Sequence, residues 1–301
     1  MDLYNDQLQI SGFSDEISSD FITQLQAVRG LDMNYLSLRG IDGRNIGDYT
    51  LEEIQESVLP KLHEYGVAVS SIGSPIGKIF ITDDEGFTQQ LTLLDRLCKI
   101  ANLLNCQYIR IFSFYIPKGD NADQYYNKVI SQISQFTAIA AKYNVILLHE
   151  NEKDIFGDIA RRCNEMLEAV QSPHFKAIFD FANFVQCGED TWECYQLLTP
   201  HIAYIHIKDA VSTSQQNVVC GTGEGKIRTI LADLIANGYE GFLTLEPHLV
   251  LFDSLSDLEL EAAEHIIKDD KGITGEEAYA LQFHALVELL YSIESEAMSN
   301  D

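Results

Sequence analysis

No stretch of the 301 residues approaches the ~20 consecutive apolar side chains that a membrane-spanning helix needs. Positive charge is scarce: 20 Lys and Arg stand against 46 Asp and Glu, a formal net charge of −26. A phosphate backbone is gripped by clustered Lys and Arg, so this balance argues against nucleic acid as a partner, and against an anionic membrane surface. The six cysteines, Cys98, Cys106, Cys163, Cys187, Cys194 and Cys220, form no CxxC pair. That argues against a zinc–thiolate cluster and a disulfide framework. The opening Met1-Asp2-Leu3-Tyr4-Asn5-Asp6 has neither the basic nor the apolar region of a secretory signal. Reduced thiols in a cytoplasmic protein are therefore expected. Gly12-Phe13-Ser14 does not supply the GxGxxG that would follow the first strand of a dinucleotide-binding sheet.

What is present is a large core in alternating units. Apolar residues make up 46% of the chain and aromatics 10%, which excludes disorder. Strands are expected at Leu8–Phe13, Tyr35–Arg39, Val67–Ile72, Tyr108–Phe112, Val145–His149, Ala177–Phe179, Ala203–Ile207 and Phe242–Leu245. Between them, apolar residues recur at i, i+3 and i+4 in Phe21–Val28, Leu51–Leu62, Phe87–Leu104, Tyr125–Ala141, Ile159–Val170, Trp192–Leu198, Ile227–Ile235 and Ala278–Ile293. Thr50 and Glu53 are spaced as a capping box, and Gly30, Gly66 and Gly238 stand where helices end. Strict strand–helix alternation predicts a parallel sheet, and eight repeats in about 250 residues predict a (β/α)8 TIM barrel. The whole chain, 1–301, is read as one such domain. Leu249–Gly275 is too long for a βα loop. Its Leu255, Leu258, Leu260, Ala263, Ile266 and Ile267 suggest an extra helical segment between strand eight and the last helix, covering the mouth or making a subunit contact. Apolar helix faces would suit a homodimer.

In such a barrel the chemistry sits where strands end. Strands five to eight end in His149-Glu150-Asn151-Glu152, Phe179-Asp180-Phe181-Ala182-Asn183, His206-Ile207-Lys208-Asp209 and Leu245-Glu246-Pro247-His248. Four consecutive strands thus deliver Glu150, Asp180, His206 and Glu246 to one rim. Three carboxylates converging with one imidazole repel one another unless a cation lies between them. That donor set favours Mn2+, Mg2+ or Co2+, with Zn2+ an alternative.

These motifs, with Gly12-Phe13-Ser14-Asp15-Glu16 at the start, resemble the xylose-isomerase-like TIM-barrel superfamily of sugar phosphate isomerases and epimerases, inosose dehydratase-like proteins and metal-dependent endonucleases. The resemblance implies a one-metal site of Glu150, Asp180, His206 and Glu246, with Mn2+ the favoured ion. It also implies that Glu150 and Glu246 move protons beside a sugar carbonyl. One departure stands out: Asn183 occupies a position where ketose 3-epimerases of this group carry His. Asn bonds a hydroxyl but cannot shuttle a proton. The acidic charge opposes the endonuclease branch.

Other residues complete the expected site. Lys208 alternates onto the same side as His206, as a stabiliser of an enediolate oxygen or a solvated loop residue. Asp209 is expected to orient Lys208 or His206. Arg110, charged amid Tyr108-Ile109-Arg110-Ile111-Phe112, must face the interior or an ion partner. Glu16 and Arg39 are rim candidates, with a structural ion pair as the alternative. Lys78 ends a loop whose glycines allow close approach to a ligand. Asn183 and His248 are placed to reach substrate. His149 is expected to turn toward the helix layer. Gly221-Thr222-Gly223-Glu224-Gly225-Lys226 lacks the P-loop ending and reads as a turn.

The leading functional reading is a metal-dependent isomerase or epimerase of a sugar or sugar phosphate. A dehydratase or lyase acting on a keto-inositol or 3-keto-glycoside begins with the same α-proton abstraction. A non-catalytic sugar-binding barrel would bind without exchanging protons.

Overall fold

The computed structural model describes residues 7–252 and 272–299. Eight strands form one parallel sheet: β1 (Leu8–Gly12), β2 (Tyr35–Leu38), β3 (Ala68–Gly73), β4 (Tyr108–Ile111), β5 (Ile146–His149), β6 (Phe175–Asp180), β7 (Ile202–Ile207) and β8 (Gly241–Leu245). Their order is β1-β8-β7-β6-β5-β4-β3-β2. A parallel bridge from Phe13 to Ser37 brings the two ends together, so the sheet closes as a (β/α)8 barrel.

The helices are α1 (Phe21–Gly30), α2 (51–65), α3 (Asp84–Leu103), α4 (Tyr126–Lys142), α5 (Ala160–Val170), α6 (Phe181–Gln186), α7 (Thr191–Leu198), α8 (Ile227–Ala236) and α9 (Gly275–Ser299). The Thr50–Glu53 capping box forms in both directions and starts α2. A π-turn, Ile54–Val58, interrupts it. Gly66 ends it in the left-handed region. Gly30 departs from expectation: it is the last helical residue of α1, and Asp32, at φ 58°, takes the left-handed turn. A second capping box, between Thr274 and Glu277, carries the start of α9 back to Gly275. No described helix is long and apolar enough to cross a membrane. Most of the helical segment expected within 249–275 lies outside the described residues.

Strand periodicity sorts the core into two parts. Ile109, Ile111, Leu147, Phe179, Ile205 and Leu243 belong to the main apolar cluster shared with the helices. The alternate residues Leu148, Ile178 and Tyr204 pack together separately, against Tyr108, Ile146 and Phe242. This second set fills the lower barrel. Above and beside it the Tyr204 hydroxyl is hydrogen-bonded with Ser70 Oγ at 2.8 Å and Ser71 Oγ at 3.0 Å, and Ser70 also contacts Ser11 Oγ. Continuing the same alternation two residues further along each strand brings Glu150, Asp180 and His206 to the C-terminal mouth.

Candidate metal centre

Four side chains meet at that mouth, all buried: Glu150 just after β5, Asp180 at the end of β6, His206 in β7 and Glu246 just after β8. Each offers one donor atom, and the four atoms lie within 4.8 Å of one another. His206 Nδ1 is their hub. It is 2.9 Å from Glu150 Oε1, 3.1 Å from Glu246 Oε2 and 3.8 Å from Asp180 Oδ2. Two donors bound to one ion at about 2.1 Å are separated by about 3.0 Å when adjacent and about 4.2 Å when opposite, so these spacings fit a single small divalent ion. Asp180 Oδ2 and Glu150 Oε2 are buried without a geometrically formed hydrogen bond, and each faces a cationic side chain, Lys208 at 3.2 Å and Arg110 at 3.1 Å, so positive charge is already drawn to this point.

Local folding explains the aim of each group. Asp180 divides its carboxylate: Oδ1 caps α6 by accepting from the Asn183 N–H at 2.8 Å, and Oδ2 is left for the site. Sequence periodicity misses α6 because Phe181, Ala182, Asn183, Phe184 and Val185 are all buried and no polar face marks it. Glu246 is divided too. Oε2 faces His206, while Oε1 takes Arg39 Nη1 at 2.9 Å and Arg110 Nη1 at 3.4 Å. Arg110 Nη1 also lies 3.1 Å from Glu150 Oε2, so one guanidinium spans both glutamates.

The electrostatics of the cluster follow from this crowding. Burial opposes charge on His206, but Glu150 and Glu246 outweigh it and raise its pKa to about 9. Burial lifts the Asp180 carboxyl to about 6, against the pull of Lys208. Glu246 is held well below the usual carboxylate range because Lys208 and His206 overcome the cost of burial. Glu150 is also lowered, with burial and Glu246 opposed by His206 and Arg110. The carboxylates thus favour positive charge at this point, and a bound ion would take His206 in its neutral form.

The expected surrounding residues separate into two groups. Lys78, Arg110, Asn183, Lys208 and His248 line the cavity above the cluster together with Phe112, Glu150, Glu152 and Glu246. Lys208 Nζ lies 3.2 Å from Asp180 Oδ2 and 3.5 Å from Glu246 Oε2, so it faces the site rather than solvent. Asn183 Nδ2 donates to the Asn151 carbonyl at 2.7 Å. His248 has a left-handed backbone, φ 45°, and its N–H donates to Glu16 Oε2 at 2.8 Å. Glu16 and Arg39 lie outside that cavity lining. Arg39 bonds Asp15 Oδ2 at 2.8 Å and reaches Glu16 Oε1 at 3.3 Å, so the structural ion pair is what the structure shows. Glu16, Glu246 and His248 form a second close group, but Arg39 already supplies a cation to its two carboxylates.

Lys78 reaches Glu152 Oε1 at 2.8 Å. Its loop lies flat on the end of β4: Gly77, at φ 89°, would place a Cβ 2.0 Å from the Phe112 carbonyl oxygen. Glu152 and Phe112 join the lining although the sequence expectations did not include them, and period two from Glu150 and from Arg110 points both inward. Asp209 corrects an expectation. It orients neither Lys208 nor His206; its carboxylate accepts the N–H groups of Gly221, Gly223 and Gly225, each at 2.9 Å. The glycine loop is therefore an anion cradle filled by the chain's own carboxylate. His149 points away from the mouth to Ser113 Oγ at 2.9 Å, and burial depresses its pKa to about 3.

A family model for the xylose isomerase-like TIM barrel matches residues 25–267. The chain belongs to this family. It is 24% identical over 132 residues to a 3-dehydroshikimate dehydratase of Bacillus anthracis, covering 44% of this chain and 47% of that protein. It is 22% identical over 172 residues to a fructoselysine 3-epimerase of Escherichia coli O157:H7, covering 56% and 62%. The chain thus spans about half to three fifths of the length of these curated relatives. The crystal structure of the IOLI protein with a bound zinc atom superposes with a TM-score of 0.73 at 15% identity, over 95% of this chain and 99% of that one. At that identity the likeness establishes the fold.

Proposed function

We propose that this family member is a divalent-metal-dependent isomerase or epimerase of a sugar or sugar phosphate, acting by proton abstraction next to a carbonyl. Glu150, Asp180, His206 and Glu246 would hold one divalent ion; the oxygen-rich donor set suits Mn2+, our first choice, as it does Mg2+ and Co2+, with Zn2+ an alternative. Such an ion polarises a carbonyl and its neighbouring hydroxyl. The observation that carries the reading is the pairing of two buried glutamates across His206 Nδ1, at 2.9 and 3.1 Å, both tied to Arg110. One glutamate removes the α-proton as a base. The other would deliver a different proton, taken up from solvent, to the opposite face. Lys208 is placed to offset negative charge developing on the substrate oxygen. Arg110 keeps both carboxylates in register, and Asn183 and His248 border the cavity where substrate hydroxyls would lie. The fructoselysine 3-epimerase relative supports this chemistry for a fold of this kind.

The test is Glu150→Gln and Glu246→Gln, assayed by turnover and by solvent deuterium appearing in a keto-sugar. Each variant should lose turnover by at least ~100-fold, the scale of a positioned acid or base. Full activity in both would refute the assignment. A dehydratase outcome has its own support in the dehydratase relative and in Asn183. It would show as loss of water from the product, whereas the isomerase keeps the carbon skeleton and gains deuterium.

A further inference from the structure

The cavity directly above the four donors is small, about 20 Å³. Lys78 and Arg110, which wall it on one side, also wall a second cavity of about 540 Å³. This larger space lies between α3 and the loops after β2 and β3, bordered by Asn45, Gly47, Gln90 and Arg96, with two carboxylates, Asp48 and Asp83, also on its wall. Its volume falls in the range of small-molecule sites. Arg96 is the informative residue. Its Nη2 donates to the Gly47 carbonyl, and its buried Nε has no hydrogen-bond partner. No ion pair joins Arg96 to a carboxylate among the described residues, although this chain carries 46 acids. A half-buried guanidinium that borders a cavity and has no carboxylate partner can take an anion through the N–H groups it does not give to Gly47. The Nε of Arg110, on the wall shared with the metal centre, is likewise buried without a hydrogen-bond partner.

Resting on the proposed function, we propose that the substrate is longer than a free sugar and carries an anionic group, a phosphate or a carboxylate, that enters this side cavity and is held by Arg96. The sugar end would occupy the metal centre, and Arg110 and Lys78 would line the passage between them. Arg96 then selects substrates without touching the reacting atoms.

Calorimetric titration of metal-loaded protein with ribitol, ribitol 5-phosphate and an ω-carboxylated ribitol ether reads binding without requiring turnover. Wild type should bind at least one of the two anionic polyols about 10- to 100-fold more tightly than ribitol, the range for a charge-assisted hydrogen bond. The arm that gains identifies phosphate or carboxylate. Arg96→Met should erase that preference and leave ribitol affinity within twofold, and Arg96→Lys should restore part of it. Equal affinity of wild type for all three ligands would overturn the proposal. So would an unchanged preference in Arg96→Met, or a loss of ribitol affinity as large as the loss for the anions, which would mark Arg96 as a tether for Gly47. Selective anionic binding without deuterium exchange into any keto-sugar would retain this cavity assignment and sink the isomerase reading alone.

Discussion

Asp180→Asn should move stability and metal affinity in opposite directions. In the metal-free fold Asp180 stands beside Glu150 and Glu246 with no solvent, and burial lifts its pKa from 3.8 to about 6. A shift of that size means that its ionised form is disfavoured by roughly 3 kcal/mol, even with Lys208 at 3.2 Å. Asn removes the charge but keeps an oxygen to accept the Asn183 N–H, so the α6 cap survives. Metal-free Asp180→Asn is therefore expected to be at least as stable as wild type, with a gain of up to ~3 kcal/mol. Asp180→Ala also loses the cap and should fall ~1 kcal/mol below Asp180→Asn. In a chain of this size that is about 2 °C in Tm. With Mn2+ the order reverses. Loss of a donor should weaken binding by more than the ~10- to 100-fold typical of residues that merely orient ligands. Thermal unfolding after chelation, paired with calorimetric Mn2+ titration, reads both effects. A metal-free Asp180→Asn protein that melts several degrees lower while binding Mn2+ like wild type would refute the reasoning. Asp180 would then be an ion-pair partner of Lys208.

Three further expectations rest on separate parts of the fold. Gly77→Ala forces a Cβ to within 2.0 Å of the Phe112 carbonyl at φ 89°, so it should cost ~1–3 kcal/mol in chemical denaturation, and a change below ~0.5 kcal/mol would contradict the close approach. Arg39→Met leaves Asp15, Glu16 and Glu246 without their shared cation and should cost ~3–5 kcal/mol; a neutral effect would mean that the buried ion pairs are not formed. Burial pushes the thiols of Cys98, Cys106, Cys187 and Cys220 up to about 12, so the native protein should react slowly with a thiol reagent at pH 8. Rapid labelling of several thiols without denaturant would contradict the packing.

The barrel and its rim were legible in the sequence because two periodicities carry them. Alternation of β-rich runs with helical patterns located all eight strands to within a residue or two, the ends of strands five to eight carried Glu150, Asp180, His206 and Glu246 to one rim, and period two from His206 added Lys208. The extension of β6 back to Phe175 was hidden by Lys176, and α6 by its uniform burial. Tertiary partners were not legible. Nothing local distinguishes Arg39, which binds carboxylates at both ends of the chain, from a rim residue facing substrate. Asp209 follows Lys208 directly, yet its partners are glycines 12, 14 and 16 residues further on. Arg96 reads as one more polar position on an amphipathic helix, and only the fold sets it beside the cavity that Arg110 shares with the four donors.

The most direct test of proton abstraction at a metal centre is deuterium incorporation from heavy water into a panel of ketoses and ketose phosphates. It should be read by mass spectrometry with Mn2+-loaded and with chelated protein. One carbon-bound deuterium in an intact skeleton, abolished by chelation and restored by Mn2+, is the predicted result. Binding of the same compounds with no exchange, whichever divalent ion is supplied, would contradict it.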